Sequence, residues 1–234
     1  MKRLFYAMIP LLALVFTACQ QHGMDVQGSS SIPELEGKML YLRVYAEGDL
    51  QVIDSARIQH GKFHFQGEEP DSAVMACLFL GDESIMPIVL DGASLMVKLD
   101  ASERKVSGSE LNDSLFSFIA RKTELDVQLA ELPRRESRMI LDGMDHREII
   151  RLLSDEALIL NQQEDKLVTQ FIKDNMHNCL APGVFMIVTS NYPYPILNPQ
   201  IEELIALGSP SFLNDAYVKE YIRMARENME KMNE

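Results

Sequence analysis

A chain of 234 residues is long enough to bury a real core in one large or two small domains. Its net charge of −13, from 35 acidic against 22 basic side chains, makes nucleic acid and anionic membrane surfaces poor partners.

Residues 1–18 read as a leader. Lys2 and Arg3 precede an apolar run over 4–16, and Phe16-Thr17-Ala18 leads into Cys19. About thirteen apolar residues fall short of the ~20 that cross a bilayer. A short basic start, a short apolar core and a small residue before the cut describe a secretory signal peptide. The cysteine directly after the small residue makes this look like a bacterial lipoprotein signal, with Cys19 lipidated at the mature N-terminus. Phe16 stands where such signals usually carry an aliphatic residue. The stretch 20–31, QQHGMDVQGSSS, is polar and Gly/Ser-rich, so 19–31 is expected to be a flexible tether between lipid and domain. No second long apolar segment follows.

From 32 to 108 the pattern predicts short strands, over 39–45, 50–59, 62–66, 73–80, 86–90, 94–99 and 105–107, separated by turn residues such as Glu47-Gly48-Asp49 and Asp91-Gly92. Strands at near-regular spacing predict an antiparallel β-sandwich or open barrel. The centre of this region is a β-hairpin at 52–70. Ala56 and Ile58 alternate with polar residues on the way in, and Phe63 and Phe65 on the way out. The two-residue turn is His60-Gly61. A primed turn needs positive φ at both central positions, which glycine accepts freely and histidine more readily than most residues. Residues 74–80 are apolar on both faces, which suits a central strand.

At residue 109 the period changes to that of helices, so 109–234 is predicted to be an all-helical region and the fold class α+β. Leu111, Leu115, Phe118, Ile119, Leu125, Leu129 and Leu132 recur at helical spacing up to Pro133. A loop is expected over 134–144. Asp145 with Glu148 then resembles a capping box opening a long helix. An apolar helix is expected within 179–190 after Pro182, and two more at 200–207 and 214–232. Between them 191–199, NYPYPILNP, must be a loop, since its prolines remove donors and fix φ.

No constellation in the sequence commits it to a reaction. His60 and His64 lie close on the hairpin but lack a third ligand, so no metal site is assigned. Asp54-Ser55 lacks the glycine-framed turn of an esterase nucleophile and reads as a strand-edge pair bonding to the backbone. Gly108 and Gly143 are isolated, so no phosphate loop is present and no cofactor is expected. Tyr192 and Tyr194 form a rigid aromatic loop suited to a peptide, protein or glycan ligand. The alternative is a plain interhelical connection. Met224, Met229 and Met232 mark either an adaptable apolar surface or a helix packed on the domain. Beyond Cys19 the cysteines are Cys77 and Cys179, which an extracytoplasmic setting would permit to pair.

The run IDSARI, a two-residue turn, KFHFQG and an acidic-proline step resembles the domain of unknown function 4369 (DUF4369). So does GASLMVKLD followed by VSGSELNDSLFSF. The resemblance covers roughly 33–122. It continues more loosely through FIKDNMHN, LAPGVFMI and LIALGSPSF, which resemble a helical connector. It implies the N-terminal half of a lipoprotein of Gram-negative gut anaerobes, in which a thioredoxin-like thiol:disulfide interchange domain follows. The sequence holds no Cys-x-x-Cys, so the resemblance carries over fold and compartment and no catalytic residue.

The expected function is a lipid-anchored, extracytoplasmic, non-catalytic binding or interaction module. Its expected place is the cell envelope, on the outer membrane facing the periplasm or at the cell surface. Two alternatives stand beside it. An accessory partner of a separately encoded thioredoxin-like oxidoreductase would have such a gene nearby. An enzyme with an unrecognised site would show paired carboxylates or histidines in a polar cleft.

Overall fold

The computed structural model describes residues 23–68 and 70–233, and the leader and Cys19 lie outside the described residues. The first element corrects the sequence reading. Residues expected to be tether form strand β1, Gly23–Ser30. Composition pointed to a linker, but Met24, Val26 and Gly28 alternate with polar neighbours and are buried. That period of two places one face of the strand in the core.

Strands β2 (Met39–Ala46), β3 (Asp49–Arg57), β4 (Lys62–Glu68), β5 (Val74–Leu80), β6 (Glu83–Leu90), β7 (Leu95–Leu99) and β8 (Arg104–Ser107) follow the predicted ones closely. They build two four-stranded sheets, ordered β4-β1-β7-β8 and β3-β2-β5-β6. The pairing is antiparallel except between β1 and β7, which run parallel with Val26 opposite Leu95. That one parallel pair involves β1, the strand whose composition resembles a linker, and the strands predicted from alternation pair antiparallel with one another throughout. Val26, Phe65 and Val97 from the first sheet meet Leu40, Leu42, Leu78 and Ile88 from the second in the sandwich core.

The predicted turn forms, with φ of 52° at His60 and 68° at Gly61. The Glu36 carboxylate accepts from the backbone N–H groups of both, at 2.8 and 2.9 Å. The strands on either side do not form a hairpin ladder, however. A single bridge joins Gln59 to Lys62, and then β3 enters the second sheet and β4 the first. The cause is again β1, which pairs with β4 from Lys62 to Glu68. The turn is therefore a corner joining the two sheets, with Ala56, Ile58, Phe63 and Phe65 buried between them. The Asp54 carboxylate spans the separation, accepting from Gln66 N–H at 2.9 Å.

The helices are α1 (Glu110–Leu141), α2 (His146–Asp174), α3 (Leu180–Thr189), α4 (Pro199–Leu207), the short α5 (Pro210–Leu213) and α6 (Ala216–Asn233). Helix α1 runs through Pro133, so the loop expected over 134–144 is mostly helix. Proline removes one donor and strains the preceding turn. Here, buried Leu132 lies just before it, and beyond it Arg135 pairs with Glu156 of α2. Asp145 caps α2, its carboxylate accepting from Arg147 and Glu148 N–H. Helix α3 starts at Leu180, with Pro182 inside its first turn, where no intrahelical donor is needed. A second core joins Met75 and Val89, on the outer face of the second sheet, to Leu115, Phe118, Ile172, Val184, Phe185 and Tyr221 of the helices. Strand β5 is thus apolar on both faces because it serves two cores.

Candidate functional site

The cleft is built on the outer face of the second sheet. Because Leu40 and Leu42 point into the sandwich, Tyr41, Arg43 and Tyr45 of β2 face outward. Register sets Cys77 beside Arg43 and Phe79 beside Tyr41 on that same face. Helices α1 and α3 stand over part of this face and leave a cleft of about 740 Å³. Its floor is Tyr45, Cys77 and Phe79, and its walls are Phe118 and Ile119 from α1 and Met186 and Ile187 from α3. A second groove of about 480 Å³, lined by His177, Cys179 and Asp215, lies across the contact between Tyr45 and Tyr217. Those two rings meet edge to face at 5.1 Å and line both spaces.

The surroundings of the cleft are acidic. Asp49 and Asp126 line it. The Lys122 ammonium sits between Asp126 at 2.8 Å and Glu164 at 2.7 Å. Burial works against the Lys122 charge, but the two carboxylates outweigh it and hold its pKa above the ordinary value. The Tyr45 hydroxyl is pushed up by burial first, then by Glu220, Asp49 and Asp215 nearby. The Arg43 guanidinium lies 4.6 Å from the Phe79 ring centroid, bonded to Gly81 C=O at 2.9 Å and paired with Asp82.

Cys77 and Cys179 are both free and half-buried, so the pairing the sequence left open is not made. Each lines a different space, and burial pushes each thiol up to about 11. From an ordinary value of 9.0, that leaves about one molecule in a thousand as thiolate at pH 8. Iodoacetamide should accordingly label both slowly at pH 8, with rates rising about tenfold per pH unit towards pH 10. Labelling as fast as that of a short cysteine peptide would refute the burial account. The sign for stability follows. A pKa raised on folding stabilises fully below about 9 and is lost as the pH rises through about 11, because the unfolded thiols ionise first.

The other candidates are dispersed. Tyr192 packs on the helical core, its hydroxyl accepting from Asn198 Nδ2 at 3.1 Å. Tyr194 is exposed. The loop is pinned to α6, where the Tyr221 hydroxyl bonds both Ile196 N–H and C=O at 3.1 Å and Asn228 donates to Pro195 C=O. The two tyrosines therefore do not form one surface. His64 lies 2.6 Å from Asp25 on the first sheet, a contact that lowers the Asp25 pKa, while His60 stays in its turn. Among the described residues no group of three or more His, Cys, Asp or Glu side chains is placed to hold a metal ion. Met224, Met229 and Met232 are exposed, whereas Val218, Tyr221, Ile222 and Ala225 form the buried stripe of α6.

One polar residue escaped the sequence reading altogether. Asn112 is fully buried in the first turn of α1, and its amide bonds both Val89 N–H (2.9 Å) and Val89 C=O (2.8 Å) on β6. Ser109 caps the helix by accepting from Asn112 N–H. The signal was Ser-x-x-Asn at the change of period.

The fold defines an α+β protein with an N-terminal pair of four-stranded sheets and a helical C-terminal region. Residues 24–115 match the model of the family described as Domain of unknown function (DUF4369). The match opens in β1 and closes in α1, so it takes in the strand read as tether and the Ser109–Asn112 junction. No curated protein and no solved structure matches the chain. Among the described residues no helix is long and apolar enough to cross a membrane.

Proposed function

We propose that the protein is a non-catalytic binding module, held at the cell envelope by a lipid on Cys19 and facing the periplasm, with the cleft over the second sheet as its ligand site. The observation that carries this reading is the cleft itself. Its 740 Å³ lies in the size range of ligand sites, and its lining is largely aromatic and aliphatic with a few charged groups, of which Asp49 and Asp126 are exposed. The raised thiols on Cys77 and Cys179 favour binding over thiol exchange, which needs an accessible thiolate. The anchor rests on Phe16-Thr17-Ala18-Cys19. Mass spectrometry of the mature protein should find an acylated N-terminal Cys19.

The cleft is tested with N-phenyl-1-naphthylamine, an uncharged probe that fluoresces in apolar surroundings. The mature chain from residue 19 onward, carrying Cys19→Ala and so free of the apolar leader, should enhance its fluorescence saturably. Ile119→Trp, which fills one wall, and Ile187→Gln, which makes the other polar, should each weaken the affinity about fivefold or more while circular dichroism stays unchanged. Unaltered probe binding in both folded variants would sink the assignment of the site.

A further inference from the structure

We propose that the occupant of this cleft is an extended peptide presenting an aliphatic or aromatic side chain flanked by lysine or arginine. The proposal rests on the reading of the cleft as the binding site and adds the chemistry of what fills it. Two independent features point to it, the charge at the mouth and the shape of the apolar surface beyond it.

Lys122 is the one cation lining the cleft among the described residues, against Asp49 and Asp126. Its charge is already shared between Asp126 and Glu164, so that trio is net negative, and Asp49 adds a further exposed carboxylate. Arg43, farther along β2, is spent on Phe79, Gly81 C=O and Asp82. In the adjoining groove, beside His177, the Asp215 carboxylate is committed to capping α6, where it accepts from Tyr217 and Val218 N–H. Glu220 is held by Arg223, so the negative charge that faces a ligand is that of the cleft's own carboxylates. An anionic group at the mouth would meet repulsion, and a cationic one attraction.

The apolar surface does not stop at the cleft. Leu50 lines it, and Val52, which sits opposite Arg43 and hence on the same outer face, is 52% exposed. A compact ligand filling the cleft would leave Val52 uncovered, whereas a chain continuing along the face would cover both. These residues belong to β3, one of the two edge strands of its sheet. An edge strand offers unpaired backbone groups to an extended partner. Alternation in such a partner would send every second side chain towards Leu50 and the cleft, and the long flexible stems of the lysine or arginine side chains between them would let their charges reach back to Asp49 at the start of β3.

The test uses three blocked synthetic peptides, KLKLKLK, ELELELE and KSKSKSK, titrated into the mature chain from residue 19 onward, carrying Cys19→Ala, with isotope-labelled methyl groups. The lysine–leucine peptide should shift the methyl signals of Leu50, Ile119 and Ile187. It should bind about tenfold or more tighter than either of the others, the margin over the glutamate–leucine peptide narrowing as salt is raised. The double variant Asp49→Asn/Asp126→Asn, at exposed positions where folding is not at risk, should weaken it about fivefold. Equal binding of the glutamate–leucine peptide would overturn the charge half of the proposal. Equal binding of the lysine–serine peptide would overturn the apolar half. Shifts confined to the Tyr194 loop or the α6 methionines would place the peptide elsewhere and defeat it. Naphthylamine binding without peptide binding would reject the peptide and leave the cleft standing as a site, whereas loss of both would reject the site itself.

Discussion

Replacing Asn112 with alanine should destabilise the protein by about 3 kcal/mol, among the largest single effects expected in the chain. The side chain is fully buried and works as a strand would: its carbonyl accepts from Val89 N–H and its amide nitrogen donates to Val89 C=O, at 2.9 and 2.8 Å. Val89 lies on β6, which ends its sheet, so Asn112 closes an edge that would otherwise be left unpaired in the interior. The same amide nitrogen donates to Ser109 Oγ at 3.1 Å. Alanine leaves the Val89 N–H and C=O buried without partners, each at a cost of about 1–3 kcal/mol. Asn112→Asp keeps the acceptor but turns a carboxylate oxygen towards Val89 C=O, and should be no milder. Ser109→Ala removes a helix cap and should cost only about 1 kcal/mol. Thermal unfolding followed at 222 nm should show the Asn112→Ala midpoint lower by roughly 6–12 °C. A loss below about 1 kcal/mol would mean that water takes the place of the amide.

The sequence made most elements legible because their signals are local. Alternation at Ala56, Ile58, Phe63 and Phe65 located two strands, and positive φ at His60 and Gly61 followed from residue type. What alternation could not give was the partner of each strand. Strand β4 turns away from β3 because β1 is there to pair with it, and the residues of β1 look like linker until Phe65 and Leu95 are seen on either side of Val26. Pro133 is a fair stop signal by local rules, overridden by packing between α1 and α2. The cleft was illegible for the same reason as β1. Tyr45, Cys77, Phe118 and Ile187 come from β2, β5, α1 and α3, and no spacing in the sequence brings them together. Conversely, the Tyr192–Tyr194 loop was conspicuous by composition, yet Tyr192 is committed to packing.

Strand β1 also supplies the last expected result, at Gly28. This residue is buried in the middle of the strand, directly opposite Phe63 on β4. The Phe63 ring lies across it, so a Cβ at Gly28 would stand 2.0 to 2.6 Å from three ring atoms. The ring cannot yield far, because it is itself buried and meets Phe65 edge to face at 5.8 Å. An aromatic side chain laid over a strand glycine fills the space that the missing side chain leaves. Gly28→Ala should then cost about 2–3 kcal/mol through overpacking, although alanine is otherwise the better strand residue. Phe63→Ala should cost about 3–5 kcal/mol by emptying the same space. If steric conflict is the cause, the two losses will not add. In the Phe63→Ala background, Gly28→Ala should be neutral or slightly stabilising, giving a coupling of about 2 kcal/mol in a double-mutant cycle followed by urea unfolding. Additive losses would show that Gly28 is needed for some backbone property of β1 rather than for the ring above it.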